Sequence, residues 1–578
     1  MTVSDFIFNF LKKIGVDTVF MVSGSSAMFL TDALYRTDGV QAICTHHEQA
    51  AVMAADLYGR TRRVPGAALV TIGPGATNAI TGVAEAYLDS SPLVVISGQA
   101  NSRLLEYEQQ TGIRQEGTQS INLEPLVSHI TKYFAAVMKP EDIRYHMERA
   151  YYESMHGRPG PVWLDVPVDI QNKPILDVMR GFVPADSLKN DLSNLSEVKL
   201  RLKAAQKPLI LAGGGISRDV LNELLETVCV PVVVSRMGIG CISSNHECYV
   251  GRIGAYGQRA AHFALQQADF LLILGCRLSV STTGYYPERF AESAYKVQID
   301  IDPLELAKDS VPIHEKMLVS TFDFVECVKS WEKMDFPRWR GYCHELRKRY
   351  PVVQPSYQKT IPLNAYYFTE ILTKLAPADA AVVVDTGSVC NIVSQTWHIK
   401  EGQSYLISGG LSCMGFWAGA MGCCQGGRSV LALSGDGSVS MNIQEFATLK
   451  YNNLPVKLFV FNNNGYMLIR HNQHNYMQDR FLGVGPDSGV QTPDFSKVAA
   501  AYGLPSVRIE NVEELEEKID QVLRIDGPVI CEVILEQFGV MAPRIASKVM
   551  PDGSLKAAEF DDLAPFLRDD EKPDVFLG

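Results

Sequence analysis

Gly435-Asp436-Gly437-Ser438, followed by Asn462-Asn463-Asn464-Gly465, is the stretch whose reading decides the fold. It lies between two strand-like apolar runs, Ser429 to Ser434 and Val456 to Phe461, with a helix-like run, Asn442 to Lys450, in the middle. Asp436 and Asn463 are 27 positions apart, a separation that a strand–helix–strand crossover folds into neighbours at the carboxyl ends of two parallel strands. Mg²⁺ takes near-octahedral oxygen ligation from few protein groups, with phosphate and water supplying the rest. The Asp436 carboxylate, the Asn463 amide oxygen and the Gly465 carbonyl suit one half of such a shell and a diphosphate the other. Gly435 and Gly437 let the backbone approach it. Taken singly, each tetrapeptide also marks an ordinary turn or strand-end loop.

Outward from this stretch, the whole chain alternates strands with helices. A length of 578 residues exceeds one core and predicts about three to four domains of roughly 150 residues. Residues 1 to about 175 carry strand-like runs at 18–22, 42–44, 66–72, 93–97 and 162–166, with helices over 48–58 and 76–87. Such alternation implies a parallel sheet covered on both faces. Glycine-rich turns at strand ends, around Gly24 and over Gly73-Pro74-Gly75-Ala76-Thr77-Asn78, fall where open α/β sheets bind ligands. A polar stretch over 172–196 reads as a linker. A second unit, 195–335, has strands at 208–212, 230–235, 270–274 and 296–301, the first running into Gly213-Gly214-Gly215. The third, 360–535, opens with Ala380 to Val384 and contains the motif. A tail, 536–578, carries a Pro551-Asp552-Gly553 turn and no clear sheet pattern. The expected fold is therefore α/β with three consecutive doubly wound parallel-sheet domains.

Composition narrows the function. A net charge of −12 argues against a nucleic-acid partner or a polybasic membrane surface. The longest apolar run, Leu411 to Cys424, is shorter than the roughly 20 residues of a membrane span. The twelve cysteines are scattered with no Cys-x-x-Cys pair, so neither a disulfide framework nor a zinc site is expected, and free thiols suit a reducing cytoplasm. Val3, Phe6, Ile7, Phe10 and Ile14 recur at helical spacing, predicting an amphipathic first helix of the fold rather than a signal segment.

The pairing of Gly-Asp-Gly with a downstream Asn-Asn resembles the binding motif of thiamin diphosphate enzymes. Further stretches resemble their acetolactate synthase branch: Gly73 to Asn78, Ser91 to Gly98, Gln115-Glu116, Arg158 to Val162 with Asp165-Val166-Pro167, and Gly409 to Phe416. The resemblance implies that the first domain binds the cofactor's pyrimidine and the third its diphosphate, held by Mg²⁺ on Asp436, Asn463 and Gly465. It implies that Glu48, at a strand-to-helix junction, hydrogen-bonds the aminopyrimidine and makes its amino group an imine that removes the thiazolium C2 proton. Without that context Glu48 is also a first-turn carboxylate favoured by the helix dipole. Cofactor contacts are implied for Gly24, Pro74, Asn78, Asp385, Gly387, Ser412, Gly435, Gly437, Ser438 and Tyr466, and a supporting role for Met414.

In the central domain, Gly213, Gly214, Gly254, Arg277 and Asp300 resemble the segment with which acetolactate synthases hold FAD, here expected as a structural group. Gln115 and Arg114 are expected to orient substrate. The chain departs from those synthases at Arg114, at Asp385 to Asn391 and at Arg470-His471-Asn472-Gln473. There the resemblance is to a branch of polysaccharide and deoxysugar pathways, the yersiniose type, and the Arg470 region is where substrate is expected. The implied activity is decarboxylation of a 2-oxo acid, most simply pyruvate, and carboligation to a carbonyl acceptor. The alternatives are acetolactate synthase proper, a simple 2-oxo acid decarboxylase, or a silent binding homologue. Family precedent implies a homodimer at least, and a tetramer as a further possibility, with Glu48 and the metal loop contributed by different subunits.

Overall fold

Short β-branched runs buried on both faces, joined through amphipathic helices, leave parallel pairing as the arrangement that covers every apolar surface. The computed structural model describes residues 1–176, 179–184, 190–549 and 555–577. It contains three six-stranded parallel sheets. The first has the order Gln41–Cys44, Thr18–Met21, Gly66–Val70, Leu93–Gln99, Pro161–Pro167, Tyr133–Ala136. The third has the order Ser404–Ile407, Ala381–Val384, Val430–Gly435, Val456–Asn462, Val529–Ile534, Ser506–Ile509. Numbered along the chain within each sheet, both read 2-1-3-4-6-5, so the two domains share one topology.

The central sheet differs. Its order is Tyr249–Arg252, Val232–Val234, Pro208–Ala212, Phe270–Leu274, Tyr295–Asp300, Glu315–Leu318, which reads 3-2-1-4-5-6. That is the dinucleotide-fold order, with its switch point between Pro208–Ala212 and Phe270–Leu274.

Besides Val529–Ile534, inside the third sheet, five strands of these sheets go beyond the sequence expectation: Tyr133–Ala136, Tyr249–Arg252, Glu315–Leu318, Ser404–Ile407 and Ser506–Ile509. All five are sheet edges. The tail, expected to lack sheet, carries an antiparallel pair, Ser547–Val549 with Leu555–Ala557. The expected Pro551-Asp552-Gly553 turn lies outside the described residues, as do parts of the expected linker. The first helix, Val3–Lys13, forms as expected and is closed by a capping box between Thr2 and Asp5. Among the described residues no helix is long and apolar enough to cross a membrane.

Helix Glu48–Arg62 joins the first and third domains. Every residue from Ala50 to Gly59 is buried, as expected of a helix enclosed on all sides. It crosses the segment Phe416–Cys423, whose side chains share one apolar cluster with Ala50, Ala54, Leu57 and Tyr58. Small residues set the spacing: a Cβ on Gly422 would lie 1.9 Å from the Ala54 carbonyl oxygen. Arg60 adds polar ties, to Asp56 at 2.7 Å and to the Ile407 carbonyl at 3.0 Å.

Candidate active site

Strands Val430–Gly435 and Val456–Asn462 pair in parallel with Gly435 opposite Phe461. The expected crossover therefore brings Asp436 and Asn463 to adjacent strand ends. Asp436 opens a short helical turn, Asp436–Val439. Its carboxylate is 1% exposed and accepts the N–H of Gly437 and of Gly465, each at 2.8 Å. Burial pushes its pKa up to about 6 against the pull of those two amides. Asn463 donates its Nδ2 to Met467 Sδ at 3.6 Å, while its Oδ1 is buried with no partner among the described residues. An orphaned amide oxygen beside a carboxylate is the donor set of a hard divalent cation. These residues therefore fit Mg²⁺.

The loop around this pair is tightly determined. A Cβ on Gly437 would lie 2.1 Å from the Tyr466 ring, so Gly437 and Tyr466 require each other. Gly465 has φ +125°. Arg470 supplies the other restraint, on helix Met467–Met477. Its Nη1 donates to the carbonyls of Asn463 (3.2 Å) and Gln537 (2.7 Å), and its Nη2 to those of Asn464 (2.7 Å) and Val484 (3.0 Å). His471 bonds the Gly539 carbonyl at 3.0 Å and Gln473 the Leu482 backbone. The expected substrate region is thus a strap. The guanidinium is 5% exposed, and four carbonyls occupy donors that a substrate would need.

Two expected cofactor contacts, Asp385 and Ser438, are engaged within the protein. Asp385 is fully buried and accepts from Thr386 N, Trp417 N, Ser434 Oγ and Ser438 Oγ. Burial raises its pKa and these four donors oppose the rise. Ser438 Oγ also accepts the Gly415 N–H at 2.7 Å, which fixes the turn after Met414. Met414 itself is half-buried and Ser412 is exposed with φ +59°. Gly387, φ +76°, precedes helix Ser388–Thr396 and faces open space where a Cβ would point. A helix amino terminus beside open space suits a phosphate group.

Glu48 opens helix Glu48–Arg62 after His47, whose extended backbone and Nδ1 cap it through Gln49 N. The carboxylate is 8% exposed, and Asn78 Nδ2 donates to its Oε2 at 3.0 Å. Asn78 stands on helix Pro74–Leu88, so the Gly73-Pro74-Gly75 turn and Glu48 meet. Gly24 and Gly75 both pack on Thr71, whose hydroxyl is buried without a partner among the described residues. Sequence reasoning missed Thr71. Its one signal is its place between a strand end and the glycine turn. A carboxylate and an unpartnered hydroxyl around these glycines are groups that suit a heteroaromatic ring with hydrogen-bonding nitrogens.

Within one chain, Glu48 and the Asp436 pair form separate clusters. A further tie between the first and third domains is the His46 N–H, which donates to both Glu445 oxygens at 3.0 and 3.2 Å. Arg114 is exposed, with no hydrogen bond or ion pair among the described residues. Gln115 is exposed as well and donates to the Ser120 carbonyl at 3.0 Å.

In the central domain Gly213 and Gly215 pack on Gly275, a Cβ on Gly213 falling 2.1 Å from the Gly275 oxygen. A Cβ on Gly214 would meet Met237 Cβ at 3.0 Å, and one on Gly254 the Ser281 oxygen at 2.5 Å. Arg277 donates to the Leu88 carbonyl at 2.7 Å, and Asp300 accepts from Asp302 N at 3.0 Å. The glycine loops flank the switch point, as a dinucleotide requires.

Comparison with known proteins follows the same three-part division. Residues 1–123 match the thiamine pyrophosphate enzyme N-terminal TPP binding domain, 195–320 the central domain and 385–533 the C-terminal TPP binding domain. The chain is 32% identical over 568 residues to a chloroplastic acetolactate synthase of Arabidopsis thaliana, covering 94% of this chain and 83% of that one. It is 31% identical over 586 residues to a probable acetolactate synthase large subunit of Methanocaldococcus jannaschii, covering 96% of each. Against the acetolactate synthase isozyme 2 large subunit of Escherichia coli K12 it is 30% identical over 560 residues, covering 94% of this chain and 97% of that one. With the three sheets, an acidic helix terminus in the first domain and a cation-ready pair in the third, these matches establish that the chain belongs to the thiamine pyrophosphate enzyme family, among relatives of the acetolactate synthases.

Proposed function

We propose that the chain is a thiamin diphosphate- and Mg²⁺-dependent carboligase that decarboxylates a 2-oxo acid, pyruvate foremost, and joins the remaining acyl unit to a carbonyl acceptor. The observation that carries this reading is the orphaned Asn463 Oδ1 beside the Asp436 carboxylate at adjoining strand ends. Asp436, Asn463 and the Gly465 carbonyl would hold Mg²⁺, and the space at Gly387 would take the diphosphate. Bound thiamin diphosphate supplies the nucleophilic carbon and the electron sink that loss of CO₂ from a 2-oxo acid requires. Glu48 would exchange a proton with the pyrimidine ring of the bound cofactor, and Asn78, which donates to its Oε2, would fix the carboxylate for that transfer. The Thr71 hydroxyl would orient the same ring. Arg114 and Gln115 are proposed to reach substrate.

We assign the acceptor to the ketone or ketosugar type, as in the polysaccharide and deoxysugar branch. Arg114 supports it, while Arg470 and His471 no longer do, because backbone carbonyls occupy them. Acetolactate synthase proper is the second reading, favoured by the relatives named above. We further propose FAD as a structural group at the central switch point, a dimer as the smallest active unit, and a cytoplasmic location. The deciding experiment supplies labelled pyruvate with and without aldehydes, ketones, 2-oxo acids and nucleotide ketosugars, and identifies products by mass spectrometry. A labelled ketone or ketosugar adduct is expected. Acetolactate formed from pyruvate alone, as fast as pyruvate is lost, would establish the second reading. Flavin absorbance of the purified protein tests FAD.

A further inference from the structure

Arg236 and Arg252 stand at the carboxyl ends of neighbouring central strands, Val232–Val234 and Tyr249–Arg252, with Arg252 in register with Val234. Arg252 is 2% exposed, and its Nε and Nη1 are buried with no partner among the described residues. Nε of Arg236 is likewise buried and unpartnered, although the residue as a whole is partly exposed. Among the described residues, the hydrogen bond between this pair and the third domain runs from Arg236 Nη2 to Asn391 Oδ1, at 3.3 Å. Asn391 lies on helix Ser388–Thr396, one turn from the open space at Gly387. Among the described residues no salt bridge reaches Arg236 or Arg252, whereas Arg60 and Arg158 each pair with two carboxylates.

A structural arginine looks different in this protein. Arg470 satisfies four backbone carbonyls, and Arg428 engages the backbone of Asp379, Ala380 and Gly402. Two like-charged arginines at neighbouring strand ends, with buried donors unused among the described residues, oppose folding unless an anion joins them. Burial, reinforced by the Arg236 charge, holds the Arg252 guanidinium below its ordinary value, down to about 10.

We propose that Arg236 and Arg252 receive an oxyanion, a carboxylate or a phosphate, carried by the acceptor substrate. This rests on the carboligase reading above. The donor's carboxylate is the poorer occupant. It must leave as CO₂, and a guanidinium pair that binds it stabilises the ground state and slows that loss. An acceptor keeps its anion through the reaction, so two planar donors can hold it throughout.

The test uses protein loaded with thiamin diphosphate and Mg²⁺, as wild type, Arg252→Met, Arg252→Lys and Arg236→Met. Inorganic phosphate is expected to raise the melting temperature of wild type and not of Arg252→Met. In phosphate-free buffer Arg252→Met is expected to melt at or above wild type, because the substitution removes an unpaired buried charge. The KM for 2-oxobutyrate or dihydroxyacetone phosphate should rise about tenfold or more in either methionine variant, with Arg252→Lys intermediate, while KM for butanone stays within about twofold. The proposal is overturned if phosphate leaves wild type unmoved or if anionic and neutral acceptors suffer alike. It is equally overturned if Arg252→Met loses flavin absorbance with the KM ratio unchanged, which would make the pair a flavin anchor. Wild-type protein that consumes no pyruvate defeats the carboligase reading, while the phosphate titration still decides the anion site.

Discussion

Glu48 and Arg470 show how differently two charged residues near one cofactor site are used. Among the described residues the Glu48 carboxylate has a single hydrogen bond, from Asn78, and the neighbouring Thr71 hydroxyl has none. Glu48→Gln keeps the shape and removes the proton-transfer group, so pyruvate turnover is expected to fall by about 10² to 10⁴ while the folded protein still binds cofactor. Steady-state pyruvate consumption beside calorimetric binding measures both, and full turnover in the variant would end the proposed role. Arg470 has its donors on four carbonyls around the metal loop. Arg470→Met should leave those carbonyls unpaired, lowering stability by about 3 kcal/mol and weakening Mg²⁺ binding about tenfold. A variant that melted normally, bound Mg²⁺ normally and had only a raised acceptor KM would restore the substrate role read from the sequence. Residue type was legible in both cases. Which atoms face Arg470 depends on the turn at Val484 and the return of the chain at Gln537, and neither is encoded near position 470.

At the scale of elements, the close crossing of helix Glu48–Arg62 over Phe416–Cys423 positions the acidic helix terminus. Alanine and glycine on the facing surfaces let the backbones approach. Gly422→Ala puts a methyl 1.9 Å from the Ala54 oxygen, and is expected to cost about 2 kcal/mol of stability through overpacking. Urea unfolding of the variant checks this, and an unchanged midpoint would show that the crossing has slack. Apart from Val529–Ile534, the central strands of all three sheets were legible because they are continuous apolar runs. The five that were not are edges, paired on one side only and in most cases partly exposed, as in the alternation of Ser506–Ile509. Half-covered strands carry half the hydrophobic signal.

For the whole molecule the open question is how the Glu48 cluster and the Asp436 cluster cooperate when one chain keeps them apart. If the working site is built between two subunits, mixing inactive Glu48→Gln with inactive Asp436→Asn after subunit exchange restores about a quarter of wild-type activity, since half the dimers are mixed and each has one intact site. No recovery after verified exchange would place both groups in one chain's site. Stability has its own pH dependence. Asp165, wholly buried in the first sheet, accepts from Ser97 Oγ at 2.5 Å and Gln99 Nε2 at 2.9 Å, and burial outweighs these bonds to push its pKa up to about 7, from an ordinary 3.8. Between those values the folded protein holds a proton that the unfolded chain has released, so this contribution to stability falls as pH rises from 3.8 towards 7. Denaturation at pH 5 and pH 8 should show a smaller difference in Asp165→Asn than in wild type, and an equal difference would assign the pH dependence elsewhere.

Local pattern alone determined the three α/β domains, the strand–helix–strand placement of Asp436 and Asn463, and the helix that begins at Glu48. Each rests on hydrophobic period and turn chemistry that neighbouring residues carry. Tertiary structure alone decided that the first and third sheets share one strand order while the central one takes another. It decided that Arg470 is a strap, that Thr71 packs on the glycines beside Glu48, and that Arg236 and Arg252 end neighbouring strands next to a helix more than 130 residues away along the chain. Those outcomes depend on which distant groups satisfy, or leave unsatisfied, a buried donor, and that accounting exists only once the chain has closed on itself.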